Sequence, residues 1–225
     1  MAQLEQTSFT KMFGDEEDKK DCVACFLASS QSGKTTLLFN MINEISNAYD
    51  IIILFTTNAM SDIYKNFTNQ CKHLLMVQDF DDRIIHMLHY VNQQCNNEYR
   101  ILIIMDDIID VRSTKIVAQL FSTYRNAHFS TIHSIQYKTY MNRNSRAQCH
   151  RFFLGHQNNI DEIRKTCEDL LFGFKDLQYP PDVKKKSDKI DYLVQWYIKN
   201  TDNYGFICLD NLNNKLYSIK SKLVI

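Results

Sequence analysis

The chain has 225 residues, 44% of them apolar, with 26 basic side chains balanced by 26 acidic ones. That length suffices for one α/β domain with a sizeable core. No apolar run approaches the roughly 20 residues needed to span a bilayer, and a neutral chain is no general polyanion binder, so any nucleic-acid contact must come from local patches.

The opening MAQLEQTSFTKMFGDEEDKKD is polar and acidic, unlike a secretory signal, and residues 1–20 read as an extension. Without such a signal, the seven cysteines are expected as reduced thiols in a cytosolic setting. From Asp21 strand-like and helix-like segments alternate. CVACFLA (22–28) is a short apolar strand, and TTLLFNMINEISNAY (35–49) places Leu38, Met41, Ile42 and Ile45 on one helical face. YDIIILFTT (49–57) reads as a strand buried on both faces, SDIYKNF (61–67) as a short helix capped by Ser61, and HLLMVQ (73–78) as a third strand. A helix over 81–97 follows, then YRILIIMDDII (99–109), the most apolar strand, ending in two aspartates. STKIVAQLFSTYRNA (113–127) is helical, with Ser113 or Thr114 as cap. FSTIHSIQY (129–137) and RFFLGHQ (151–157) are strands, and 160–174 is helical. KKKSDK (184–189) reads as an exposed loop, and 204–220 as a hairpin around Asn211–Asn214, preceded by a C-terminal helix. Alternating strands and helices imply one α/β domain over 21–225, a mostly parallel sheet with helices on both faces.

FLASSQSGKTTLLFN (26–40) is the densest chemical signal. A phosphate loop has the pattern G-x-x-x-x-G-K-[ST] between a strand and a helix, because its backbone N–H groups and the helix N-terminus converge on phosphate oxygens. Here Gly33-Lys34-Thr35 completes the pattern, with Ala28 where the first glycine belongs. Ala28, Ser29, Ser30, Gln31, Ser32, Gly33, Lys34, Thr35 and Thr36 are the expected nucleotide-binding residues. Lys34 would reach the β- and γ-phosphates and Thr35 would ligate Mg²⁺.

The strand ILIIM ends at Asp106 and Asp107. Ligands of open α/β sheets bind outside the carboxyl ends of strands. Successive strand residues point to opposite faces, so Asp106 is assigned to Mg²⁺ and Asp107 to the attacking water. Gln136, at the end of a polar strand, has a donor and an acceptor for the γ-phosphate or the water. Arg125, Arg143 and Arg146 are candidates for an arginine supplied to the γ-phosphate by a neighbouring subunit. Cys22-x-x-Cys25 resembles half a zinc site, but i and i+3 face opposite sides of a strand.

Taken together, the phosphate loop, the apolar strand ending in Asp-Asp, Y-R-N-A-H, a strand ending in SIQY and the basic residues before R-F-F resemble the FtsK/HerA-superfamily genome-packaging ATPases. The nearest likeness is to the poxvirus-type branch of large DNA viruses and virophages, over roughly residues 22–157. The resemblance implies a RecA-like P-loop NTPase core and hydrolysis of Mg²⁺-ATP. It further implies a homo-oligomeric ring (pentamer or hexamer) that threads double-stranded DNA into a capsid, contacts at the capsid vertex, and action in the host cytoplasm, in the viral factory or with the virion. It matches Lys34 and Thr35 to the phosphate and metal positions, Asp106 and Asp107 to the acidic pair, Gln136 to the sensor, and Arg146 or Arg143 to the basic position after it. Two other readings stay open: a nucleoside or nucleotide kinase, in which the Arg143–Arg151 cluster imitates a lid, and a nucleotide-binding scaffold without turnover. A GTPase lacks support, since no N-K-x-D signature is present.

Overall fold

A computed structural model describes residues 4–14, 20–68, 71, 73–108, 111–122, 124–138, 141 and 143–221. Among these, strands β1 (Glu5–Gln6), β2 (Val23–Leu27), β3 (Ile51–Thr56), β4 (Leu74–Gln78), β5 (Ile101–Asp106), β6 (Phe129–Ile135), β7 (Arg151–Leu154), β8 (Gly205–Asp210) and β9 (Lys215–Lys220) form one sheet. The order is β1-β9-β8-β7-β2-β6-β5-β3-β4. From β7 to β4 the strands are parallel, whereas β8 runs antiparallel to β7 and to β9. The helices are α1 (Phe9–Phe13), α2 (Lys34–Ile45), α3 (Asp62–Thr68), α4 (Asp82–Gln94), α5 (Val111–Ser122), α6 (Arg143–Gln148), α7 (Ile160–Thr166) and α8 (Lys186–Thr201).

Strand periodicity divides the apolar residues between two cores. Val23, Cys25 and Leu27 of β2 enter one, with Leu120 and Phe121 of α5 and Trp196 and Tyr197 of α8. Cys22, Ala24 and Phe26 enter the other, with Leu38, Met41 and Ile42 of α2. Cys22 and Cys25 thus lie on opposite faces of the sheet, as their spacing implies. Helices cover both faces, and the parallel strands are apolar on both sides.

Within the stretch read as an extension, Glu5 and Gln6 pair with β9, and Phe9, Met12 and Phe13 are buried in the second core. Their i, i+3, i+4 spacing makes a short apolar face within a polar stretch. Helix α5 starts at Val111, so Ser113 and Thr114 lie inside it rather than capping it. In the KKKSDK run only Lys184 and Lys185 precede the helix, because α8 begins at Lys186; Lys186 pairs with Glu168 at 2.7 Å. The helix expected over 160–174 is α over 160–166 and then widens into a π turn over Cys167–Leu171. The hairpin over β8 and β9 turns at residues 211–214, where Asp210 Oδ1 accepts from the Leu212 and Asn213 N–H groups.

Strand register aligns the site. Leu27 pairs with Ile135 and Ser134 pairs with Asp106. The residues that follow, Ala28, Gln136 and Asp107, therefore leave the sheet at one edge. Two backbone bonds hold that edge: Ala28 N–H donates to Ile135 O (3.2 Å) and Asp107 N–H to Ser134 O (3.0 Å). Chain order reverses there too, since β3 lies on one side of β2 and β7 on the other. Such a switch point opens a crevice at the carboxyl ends of the strands.

Candidate nucleotide site

A cavity of about 500 Å³ occupies this edge, lined by Ser29, Ser30, Gln31, Gly33, Lys34, Thr35, Thr36, Asp107, Tyr204 and Ser221. A volume of this size suits a small-molecule ligand. Seven of the nine expected loop residues line it, while Ala28 and Ser32 are buried behind the loop. Gly33 caps α2 with φ +85° and Gln31 has φ +61°, so the loop uses the left-handed backbone twice. Ser29 N–H donates to His156 O (2.9 Å), and Ser29 Oγ accepts from Asn158 N–H (3.0 Å), fixing the loop against the segment after β7.

The alanine at the first glycine position has a tertiary explanation. A Cβ placed on Gly155 would stand 2.8 Å from the Ala28 Cβ. The methyl group missing from the loop's usual glycine is present here, and the neighbouring strand β7 leaves room for it because it is followed by a glycine, Gly155. Ala28 is fully buried and keeps a negative φ.

Lys34 is buried, and its ammonium donates to Asp107 Oδ1 at 2.7 Å and to Ala28 O at 3.4 Å. Gln136 Nε2 donates to the other Asp107 oxygen at 3.3 Å. Lys34, Asp107 and Gln136, from three different strand–loop junctions, therefore converge. The two aspartates separate by a different device from strand alternation. The strand ends at Asp106, and Asp107 turns left-handed at φ +53°. Asp106 stays in the sheet, where the Tyr64 hydroxyl of α3 donates to its Oδ2. Its Oδ1 is buried with no hydrogen-bond partner. Burial raises the Asp106 pKa above the usual carboxylate range, a shift opposed by Ser134, Tyr64 and Lys34. The Tyr64 hydroxyl also interacts with Thr35 and Thr56. Buried Tyr64 and Asp106 thus share a polar corner with the half-buried Thr35. A carboxylate oxygen with no hydrogen-bond partner and a threonine hydroxyl are both oxygen donors of the kind a hard divalent cation takes.

Sequence reasoning missed Tyr64 and Tyr204. Tyr64 sits on a short helix with no motif. The only hint of Tyr204 is Asn-Tyr-Gly before an apolar strand. Neither Arg143 nor Arg146 lines the cavity. Arg146 Nη1 donates to Met141 O (2.6 Å) and Lys138 O (3.5 Å), while Arg143 is exposed at the start of α6. The Arg125 side chain lies outside the described residues. Arg151 does not belong to a surface lid: it is buried and paired with Asp210 at 3.3 Å, which removes one end of the Arg143–Arg151 cluster.

Among solved structures, the chain resembles B204, the DNA-packaging ATPase from Sulfolobus Turreted Icosahedral Virus (TM-score 0.62, 12% identity, 90% of this chain and 98% of that one). It also resembles the genome packaging NTPase B204 from Sulfolobus turreted icosahedral virus 2 in complex with ATP-gammaS (TM-score 0.58, 14% identity, the same coverage of each chain). A third likeness is to the pCW3 conjugation coupling protein TcpA with ATPgS (TM-score 0.57, 9% identity, 90% of this chain and 60% of that one). These likenesses show a shared fold, a mostly parallel α/β sheet with helices on both faces. No curated protein sequence matches the chain. The family described as Poxvirus A32 protein matches residues 15–177, well over half of the length, and the chain belongs to that family.

Proposed function

We propose that this chain hydrolyses Mg²⁺-ATP to drive double-stranded viral DNA into a capsid. It would act as a ring in which a neighbouring subunit supplies an arginine. The observation that carries the reading is the meeting of Lys34 and Asp107, which line the phosphate-loop cavity, with Gln136, which donates to Asp107. Lys34 would bind the β- and γ-phosphates. Phosphate oxygens compete with Asp107 for its ammonium, and the released carboxylate, beside Gln136, would orient a water on the γ-phosphate. Thr35 and Asp106 would hold Mg²⁺, which would offset the negative charge of the phosphates there. The family membership and the neighbours described as DNA-packaging ATPases support DNA as the cargo, and a neighbour with a bound ATP analogue supports the nucleotide. A capsid-vertex partner and action in the host cytoplasm belong to the same proposal. Among the described residues no helix is long and apolar enough to cross a membrane.

The test is phosphate release by wild type and Lys34→Ala, each with and without duplex DNA. Wild type should turn over ATP only with Mg²⁺, and faster with duplex. Lys34→Ala should stay folded, because the partly exposed Asp107 carboxylate hydrates, and should not turn over. Unchanged hydrolysis by folded Lys34→Ala would overturn the reading.

A further inference from the structure

The far wall of the cavity comes from the C-terminal hairpin, which the phosphate-loop motif does not include. Tyr204 and Ser221 line the same cavity as Lys34, Thr35 and Thr36. Tyr204 is 60% exposed, and its ring lies against Gly33: a Cβ there would stand 2.9 Å from Tyr204 Cδ1. The placement is held by two bonds. Ser221 N–H donates to Tyr204 O (3.1 Å), and Ser221 Oγ donates to Gly33 O (3.4 Å). The backbone is committed as well, with Asn203 at φ +50° and Tyr204 at φ +59° in the tight turn between α8 and β8. A Cβ on Gly205 would fall 2.6 Å from Asn200 O, so this turn has little freedom to relax.

A bulky aromatic residue in left-handed backbone is unfavourable, and such strain persists where surrounding structure enforces it, often at binding sites. Burial does not repay it here, because the ring is largely in water. The two ends of the cavity also differ in chemistry. Lys34 and Asp107 suit phosphate and its reaction, whereas Tyr204 presents an aromatic face with the Ser221 hydroxyl beside it. A nucleoside triphosphate has the same polarity, charged at one end and aromatic at the other.

We propose that Tyr204 is the base platform of this nucleotide site, stacking on the purine ring, with Ser221 as the positioning residue that ties the platform to the phosphate loop. The inference rests on the nucleotide reading above. It adds that the C-terminal hairpin forms part of the substrate site.

The experiment compares binding of ATP and of inorganic tripolyphosphate, by calorimetry, to wild type, Tyr204→Ala, Tyr204→Trp and Lys34→Ala. Tyr204→Ala should weaken ATP by about 10-fold or more, the usual scale for losing one base–aromatic stack, and leave tripolyphosphate unchanged. Tyr204→Trp should retain ATP. Lys34→Ala should lose both ligands. Unaltered ATP binding by Tyr204→Ala, or an equal loss of both ligands, would overturn the base platform while the phosphate-loop reading stands. Wild type that binds neither ligand, or Lys34→Ala that binds both, would overturn the nucleotide reading and the platform together.

Discussion

Asp106 and Asp107 are adjacent in sequence but stand in different surroundings. Asp106 is buried at the end of β5, with one oxygen held by Tyr64 and the other unpartnered. Asp107 is partly exposed and faces Lys34 and Gln136. Asp107→Asn should keep ATP affinity and lose turnover by about 10²-fold or more, as expected when a positioned base is removed. Asp106→Asn should weaken the Mg²⁺-dependent part of binding instead, and should not destabilise the metal-free protein, because burial already disfavours its charge. Equal loss of binding in both variants, measured by titration with and without Mg²⁺, would remove this division. His133, on β6 near these groups, is buried with neither ring nitrogen hydrogen-bonded, and burial lowers its pKa to about 4. Between pH 6.5 and about 4 the unfolded chain therefore takes up a proton that the folded chain refuses. Stability falls as pH drops through that window, and this one group accounts for about 2 kcal/mol between pH 7.5 and 5. Urea midpoints of wild type and His133→Gln at those two pH values should differ in their pH dependence, with the variant flatter.

At the scale of elements, the contact between β7 and the phosphate loop decides whether Ala28 is tolerated. Gly155 has no room for a side chain, since a Cβ would stand 2.4 Å from Phe206 Cε1 and 2.8 Å from Ala28 Cβ. Gly155→Ala should destabilise by about 1–3 kcal/mol through overpacking. Adding Ala28→Gly should return part of that loss, because the two positions are in contact and their effects should not add. Additive thermal shifts across the four proteins would show that the methyl groups do not compete. The phosphate loop, the apolar strands and α2 were legible from local pattern, because strand and helix periods are local properties. Helix α1 was not, since its three buried residues lie in a polar, acidic stretch. The start of α8 was obscured for a similar reason: three consecutive lysines read as loop until Lys186 finds Glu168.

For the whole molecule, the proposed ring is tested through its arginines. Arg146 is occupied within its own chain, holding the carbonyls of Lys138 and Met141, and Lys138 is in turn paired with Asp169. Arg143 is exposed on α6 and better placed to reach a neighbour. If a ring forms, Arg143→Ala mixed with Lys34→Ala should recover turnover, because some interfaces pair an intact phosphate loop with an intact arginine. Arg146→Ala should not be complemented in this way, since its loss acts on its own loop. An arginine acting in trans on a transferred phosphoryl is worth on the order of 10³-fold or more in rate, so recovery would be measurable. ATPase rates across mixing ratios check it, and a rate that merely interpolates between the two inactive parents for Arg143→Ala would exclude Arg143 as that group.

The sequence by itself determined the alternation of strands and helices, the phosphate loop with Lys34 and Thr35, and the acidic pair after ILIIM. These are short-range patterns: a period of two or 3.6 residues, or a loop whose function needs only contiguous residues. Tertiary structure alone decided that Gln136 meets Asp107, that Asp107 turns out of the strand while Asp106 stays buried against Tyr64, that Gly155 accommodates Ala28, and that Tyr204 forms a wall of the cavity. Each of these depends on strand order and register. Those are set by which apolar faces pack together across the whole chain, and no local window of sequence contains that information.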